Sequence, residues 1–182
     1  MIIWCTGLSG SGKTTICSLL KDMLKSKDYS VEWYDGDRVR EELKIESDFS
    51  KEGILKNNYE VIKRINNVRG KVDYIIISLI TPFNEVREYA RKTFGKDYFE
   101  VYLKCDKNTL IERDTKGLYK KALNGELDNL IGFSDKIPYE EPLKPDLLLE
   151  TNLISPSDAV KKIFIELKNL TREPYSINGG QH

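Results

Sequence analysis

The sequence predicts an α/β fold in which about five parallel strands alternate with helices. Three observations predict it. Strand-sized apolar runs recur along the chain, and segments of helical spacing separate them. One run, residues 74–80 (YIIISLI), is almost wholly apolar, as a strand buried on both faces of a parallel sheet must be. A glycine-rich turn joins the first strand to the first helix. The chain has 182 residues, which suits one domain, expected over residues 1–170 with a loose tail at 171–182.

Residues 1–6 read as a short apolar strand. Residues 14–26 read as a helix whose apolar face carries Ile16, Leu19, Leu20, Met23 and Leu24. A second strand at 31–34 runs into Asp35-Gly36-Asp37, and 38–43 forms a short helix. Ser50 opens a longer helix reaching about Arg69, with Glu52 supporting its first turn. The strand at 74–80 stops at Thr81-Pro82, and a helix follows over 85–94. Residues 98–104 alternate like a half-buried strand, and 107–113 begin a helix. Residues 116–144 are polar and read as a loop. A last strand at 147–150 precedes a helix at 157–170, with Ala159, Ile163 and Leu167 as its apolar stripe.

Charge excludes several classes of function. Lys and Arg number 29, and Asp and Glu also number 29, so no global basic field invites nucleic acid. No apolar run approaches the ~20 residues that span a bilayer, so no membrane partner is expected. The opening residues lack a secretory pattern, and three scattered cysteines suit a reduced cytoplasm. The only histidine is His182. Chemistry must therefore run on carboxylates, Lys, Arg, hydroxyls or a metal.

Gly7-Leu8-Ser9-Gly10-Ser11-Gly12-Lys13-Thr14 matches G-x-x-x-x-G-K-[ST] in full, between a strand and a helix. Glycines let backbone N–H groups turn inward around an anion, and the helix N-terminus adds positive potential. The motif predicts a nucleoside triphosphate held by Gly10, Ser11, Gly12, Lys13, Thr14 and Thr15, with Lys13 on the β- and γ-phosphates. The Thr14 hydroxyl is the expected Mg²⁺ ligand.

Asp35 and Asp37 follow the second strand, where a parallel sheet delivers side chains to its ligand crevice. Either carboxylate could serve Mg²⁺ or take the proton of an attacking hydroxyl. Arg40 stands five residues after Asp35 and could bind an anionic acceptor.

Together these segments resemble the adenylylsulfate (APS) kinase family. The resemblance runs through Cys5 to Thr15, Asp35-Gly36-Asp37-Arg38-Val39-Arg40, Phe49-Ser50, Glu112-Arg113-Asp114-Thr115-Lys116-Gly117-Leu118-Tyr119-Lys120-Lys121-Ala122, and Pro138-Tyr139-Glu140-Glu141-Pro142. It implies a P-loop kinase fold using ATP and Mg²⁺, the γ-phosphate passing to the ribose 3′-hydroxyl of a 5′-nucleotide. By the same resemblance Lys13, Asp35 and Asp37 are catalytic, and Thr14 with Asp35 holds the metal. Arg40, Phe49, Asn57, Ile80, Thr81, Lys120 and Leu130 line the acceptor site. Arg113, Lys116 and Lys120 belong to a mobile lid at about 113–140, Arg113 and Lys116 facing ATP. A homodimer is implied as well.

The departures fall on the acceptor side. Ile54 stands where the family carries Arg, Tyr59 where it carries another, and Leu130 where an aromatic would face Phe49 across the base. Losing an Arg–anion contact costs ~1.5–3 kcal/mol and losing a stacking partner ~1–3 kcal/mol. These changes favour a smaller base, and the acceptor expected is cytidine diphosphoramidate, substrate of a relative of the family that serves capsule phosphoramidate synthesis. True APS kinase activity is the alternative, and a catalytically silent nucleotide-binding protein a further one. A regulatory GTPase is excluded because Lys104-Cys105-Asp106-Lys107-Asn108 lacks the guanine-reading N-K-x-D.

Overall fold

A computed structural model describes residues 1–43 and 50–172. The strands are β1 (Ile2–Thr6), β2 (Val31–Asp35), β3 (Tyr74–Ser78), β4 (Tyr98–Lys104) and β5 (Leu147–Glu150). The helices are α1 (Lys13–Lys25), α2 (Gly36–Leu43), α3 (Lys51–Val68), α4 (Asn84–Phe94), α5 (Lys107–Arg113), α6 (Leu118–Leu123) and α7 (Pro156–Arg172). All five strands are parallel, in the order β2-β3-β1-β4-β5. The expected α/β architecture is therefore present. The expected tail, residues 171–182, falls largely outside the described residues. Among the described residues, no helix is long and apolar enough to cross a membrane.

Strand periodicity divides the core in two. Ile2, Trp4, Ile75 and Ile77 point to one face, where α3 and α4 cover them with Val61, Ile65, Val86 and Phe94. Ile3, Cys5 and Ile76 point to the other, where Ile16, Leu20 and Leu24 of α1 meet Ala159, Ile163 and Leu167 of α7. Adjacent residues of one strand thus face opposite layers, which is why the central strands read as unbroken apolar runs.

Four local expectations need correction. Leu19 is 42% exposed, and Cys17 takes its place on the buried face of α1, because the contact with the sheet is centred one residue earlier. β3 ends at Ser78, so Leu79 and Ile80 leave the ladder. β4 is buried along nearly its whole length despite its alternating sequence. Its polar member, Glu100, is tolerated inside because Arg87 and Arg91 pair with it at 3.4 and 3.1 Å. Residues 116–144 contain α6, and Tyr119, Leu130, Ile131 and Ile137 are buried there. Asp114 organises that helix by accepting from the backbone N–H groups of Tyr119 and Lys120 at 3.0 and 2.9 Å.

Gly7 shows how tightly the glycine-rich turn sits on the sheet. A Cβ there would lie 2.5 Å from the Leu103 carbonyl oxygen of β4. Gly7→Ala is expected to lower stability by roughly 1–3 kcal/mol, since backbone must move to make room. Thermal denaturation checks this, and an unchanged melting temperature would contradict the packing described.

Candidate active site

The first six residues after β1 form the phosphate loop, and α1 begins at Lys13. Gly12 caps that helix with φ 89°, a left-handed conformation that glycine adopts without steric cost. Lys13 Nζ folds back over the loop and donates to the carbonyls of Gly7 and Leu8 at 2.9 and 2.8 Å. Burial pushes its ammonium down to about 8, and the nearby Lys116 charge acts in the same direction. An anion in the loop would reverse both effects. Ser11 Oγ is buried and finds no hydrogen-bond partner among the described residues, a polar group open to a ligand.

Asp35 closes β2 and sits opposite Thr14. Its Oδ2 accepts from Thr14 Oγ1 at 3.0 Å and from Ser78 Oγ at 2.7 Å, and its Oδ1 from the Asp37 backbone N–H at 3.1 Å. Ser78 is itself oriented by Trp33 Nε1 at 3.0 Å. Asp37 lies in the first turn of α2, so the expected acidic turn is a strand end followed directly by a helix start. Arg40 donates to one Asp37 oxygen and Lys116 to the other. Burial raises the Asp37 carboxyl, but the Lys116 hydrogen bond and the Lys116 and Arg40 charges outweigh it and hold it below the usual range.

Two cavities open from this point. One, of 480 Å³, is lined by the phosphate loop, Asp35, Asp37, Arg113, Lys116 and, at its far end, Thr151 and Ile154. The other, of 290 Å³, is lined by Ile54, Asn57, Ile80, Thr81, Leu127 and Leu130. Ser9, Asp37, Arg40, Ile80 and Lys116 line both, so the two cavities meet at the Asp37 carboxylate and its two cations. Asn57 Oδ1 in the smaller cavity is buried, with no hydrogen-bond partner among the described residues. Such paired clefts with convergent polar groups suit two small ligands facing one another.

Most of the predicted residues converge here. Gly10, Ser11, Gly12, Lys13, Thr14, Thr15, Asp35, Asp37, Arg40, Arg113 and Lys116 line the larger cavity. Asn57, Ile80, Thr81 and Leu130 line the smaller. Arg113 is held by the Thr151 carbonyl at 2.8 Å. Lys116, expected at ATP, reaches both cavities. Lys120 is not brought to either cavity: its side chain is exposed, α6 turning it outward while Tyr119 packs inward. Phe49 lies outside the described residues. Sequence reasoning missed Ser78, whose hydroxyl orients Asp35, and Leu127, which lines the smaller cavity. The apolar YIIISLI run hid Ser78, since a lone serine in a buried strand carries no periodic signal.

The donor chemistry fits magnesium. Thr14 Oγ1 and the Asp35 carboxylate offer hard oxygens 3.0 Å apart at the foot of the phosphate loop. Among the described residues, no cluster of three or more His, Cys, Asp or Glu forms a cage. That too suits Mg²⁺, which is held by one or two protein oxygens together with phosphates and water.

Comparison with known proteins agrees with this geometry. The adenylylsulphate kinase family model matches residues 1–150. An adenylyl-sulfate kinase of Rippkaea orientalis is 40% identical over 172 residues, covering 92% of this chain and 91% of that protein. A probable adenylyl-sulfate kinase of Pyrococcus abyssi is 38% identical over 168 residues, covering 92% and 95%. The structure of a Mycobacterium tuberculosis APS kinase in complex with AMPPNP and APS superposes with a TM-score of 0.82 at 30% identity, covering 92% of this chain and 96% of that one.

These relatives overturn the expected cytidine acceptor and its link to capsule synthesis, because proteins this similar over nearly their whole length are named adenylyl-sulfate kinases. The structure supplies the physical reason. Arg40 and Lys116 already place two cations at the mouth of the smaller cavity, so Ile54 need not carry a third. Leu130 is anchored in an apolar cluster with Leu110 and Tyr119, so it does not mark a pocket stripped of its packing. This chain belongs to the adenylylsulphate kinase family.

Proposed function

We propose that this chain is a true APS kinase, transferring the γ-phosphoryl group of ATP to the ribose 3′-hydroxyl of adenylylsulfate. The observation that carries this reading is the meeting of the two cavities at Asp37, Arg40 and Lys116. It is supported by a relative of 30% identity whose structure is a complex with AMPPNP and APS. The chain is a phosphotransferase with an alcohol acceptor, and ATP with Mg²⁺ is its donor.

The phosphate loop, with Lys13 and Arg113, grips the triphosphate in the larger cavity. Thr14 and Asp35 would hold Mg²⁺, which neutralises charge on the phosphate oxygens when bound. Adenylylsulfate occupies the smaller cavity, its base against Leu130 and Ile54, its ribose against the Ile80-Thr81 backbone. Asn57 meets a polar group of the acceptor. Arg40 and Lys116 balance the negative charge that spreads during transfer. Asp35 orients the 3′-hydroxyl and receives its proton, while Asp37, kept ionised by its two cations, anchors Lys116 between the substrates. The lid residues exclude water, so the phosphoryl group passes to the sugar and not to solvent. A homodimer in the cytoplasm accompanies this reading, the first by family resemblance and the second from the free cysteines.

Initial rates with ATP and each acceptor test the assignment. The expected kcat/KM for adenylylsulfate exceeds that for cytidine diphosphoramidate by at least ~10²-fold, with 3′-phosphoadenylylsulfate as product. A reversed ratio, or no turnover of adenylylsulfate, would overturn it.

A further inference from the structure

The loop that follows β3 carries more constraint than a passive wall needs. Thr81 is a β-branched residue with φ 44°, buried to 1% exposure, and it lines the smaller cavity. A left-handed conformation at such a residue persists only where its surroundings enforce it, and such residues cluster at ligand sites. Here the surroundings are on the page. The carbonyls of Ile80, Thr81 and Pro82 accept in turn from Thr6 Oγ1, from Arg87 Nη1 and from the Glu140 backbone N–H. Trp4 Nε1 donates to Thr81 Oγ1 at 3.1 Å. Three successive carbonyls of the loop are thus each held by a donor from another part of the chain. In a planar trans peptide the N–H points opposite to the C=O, so the Thr81 N–H is turned away from Thr6.

Arg87 is the centre of this arrangement. It is 3% exposed, an unusual place for a guanidinium. Besides the Thr81 carbonyl it donates to Asn84 Oδ1 and to the Glu140 carbonyl. Its counter-ion is Glu100 of β4, also buried, which pairs as well with Arg91, and Arg91 in turn pairs with Asp146. A buried ion pair of this kind gives little net stability against an apolar replacement, and fixing geometry is a role such pairs can serve. The rigid planar fork suits that task, since it aims several donors at once, which lysine cannot do.

We propose that Arg87, held by Glu100, is a positioning residue for the acceptor: its fork fixes the Thr81 carbonyl and so sets the backbone that receives the nucleotide ribose. Arg87 lines neither cavity, and of the groups it donates to, Thr81 is the one that lines the smaller cavity. The inference rests on the function proposed above and names a determinant of its acceptor site. It also accounts for what holds Thr81 in its left-handed conformation.

R87K and E100Q in the full chain test this by their split between substrates. R87K is expected to raise the KM for adenylylsulfate about tenfold or more and to lower kcat/KM for it ~10–100-fold. AMPPNP affinity, measured by calorimetry, should stay within about twofold of wild type. E100Q should shift the same parameters in the same direction by less. If R87K fails to fold, E100Q decides. An unshifted acceptor KM, or losses for both substrates in proportion to the folded fraction, would overturn the proposal. The wild-type enzyme separates the two readings. Absence of adenylylsulfate turnover there counts against the proposed function. Normal wild-type turnover with an unshifted acceptor KM in the variants counts against Arg87 alone.

Discussion

Replacing Lys13 by alanine is expected to lower kcat/KM for ATP by roughly 10³-fold with the fold retained, the scale on which a preorganised charge donor acts in a water-poor site. The structure argues for so large an effect. Lys13 is half-buried, its ammonium is pushed down to about 8, and among the described residues its side-chain hydrogen bonds go to two carbonyls of the loop that precedes it. Keeping a cation there costs desolvation that two neutral acceptors offset only in part. A triphosphate supplies the missing opposite charge, so the site is built for an anion that Lys13→Ala can no longer hold. Lys13→Arg, which keeps the charge, should recover little, because a planar fork does not fit a nest shaped for a compact ammonium. Circular dichroism and steady-state rates check both variants. Near-normal turnover in Lys13→Ala would contradict the role given to the loop.

Asp35→Asn is expected to lower kcat by ~10²–10³-fold while leaving the KM for adenylylsulfate within about threefold. Phosphoryl transfer through a loose transition state leaves little proton transfer to be done early. On the function proposed above, the carboxylate would act mainly by holding Mg²⁺ with Thr14 and by orienting the acceptor hydroxyl. Asparagine keeps the shape and one oxygen but loses the charge that binds the ion. Turnover by the variant should therefore need more Mg²⁺ than wild type to saturate. Ser78 and the Asp37 backbone N–H hold the Asp35 side chain, so the variant should remain folded. A wild-type kcat, or an unchanged Mg²⁺ requirement, would contradict this assignment.

What could be read in advance divides by range along the chain. The phosphate loop is a local signal, because its glycines, lysine and threonine act through backbone a few residues away. Asp35 and Asp37 were legible because a parallel sheet brings strand ends to one edge. The helix α6 was not, since a six-residue segment with two lysines has no periodicity to show. Its burial comes from a distant partner, with Tyr119 Oη donating to the Ser9 carbonyl at 2.8 Å. Glu100 misled for the same reason: its arginines lie 13 and 9 positions earlier, on another element. Ile54 and Leu130 point to a changed acceptor only when each is read alone, because the sequence does not show that Lys116 joins Arg40 in lining the same cavity. Composition at two positions says what is absent; only the assembled pocket says what replaces it.

Crystallising the protein with AMPPNP, Mg²⁺ and adenylylsulfate would test the central claim most directly. The account predicts AMPPNP in the 480 Å³ cavity and adenylylsulfate in the 290 Å³ cavity, with its 3′-hydroxyl between Asp35 and the terminal phosphate. Adenylylsulfate bound elsewhere, or a 3′-hydroxyl turned away from that phosphate, would contradict it.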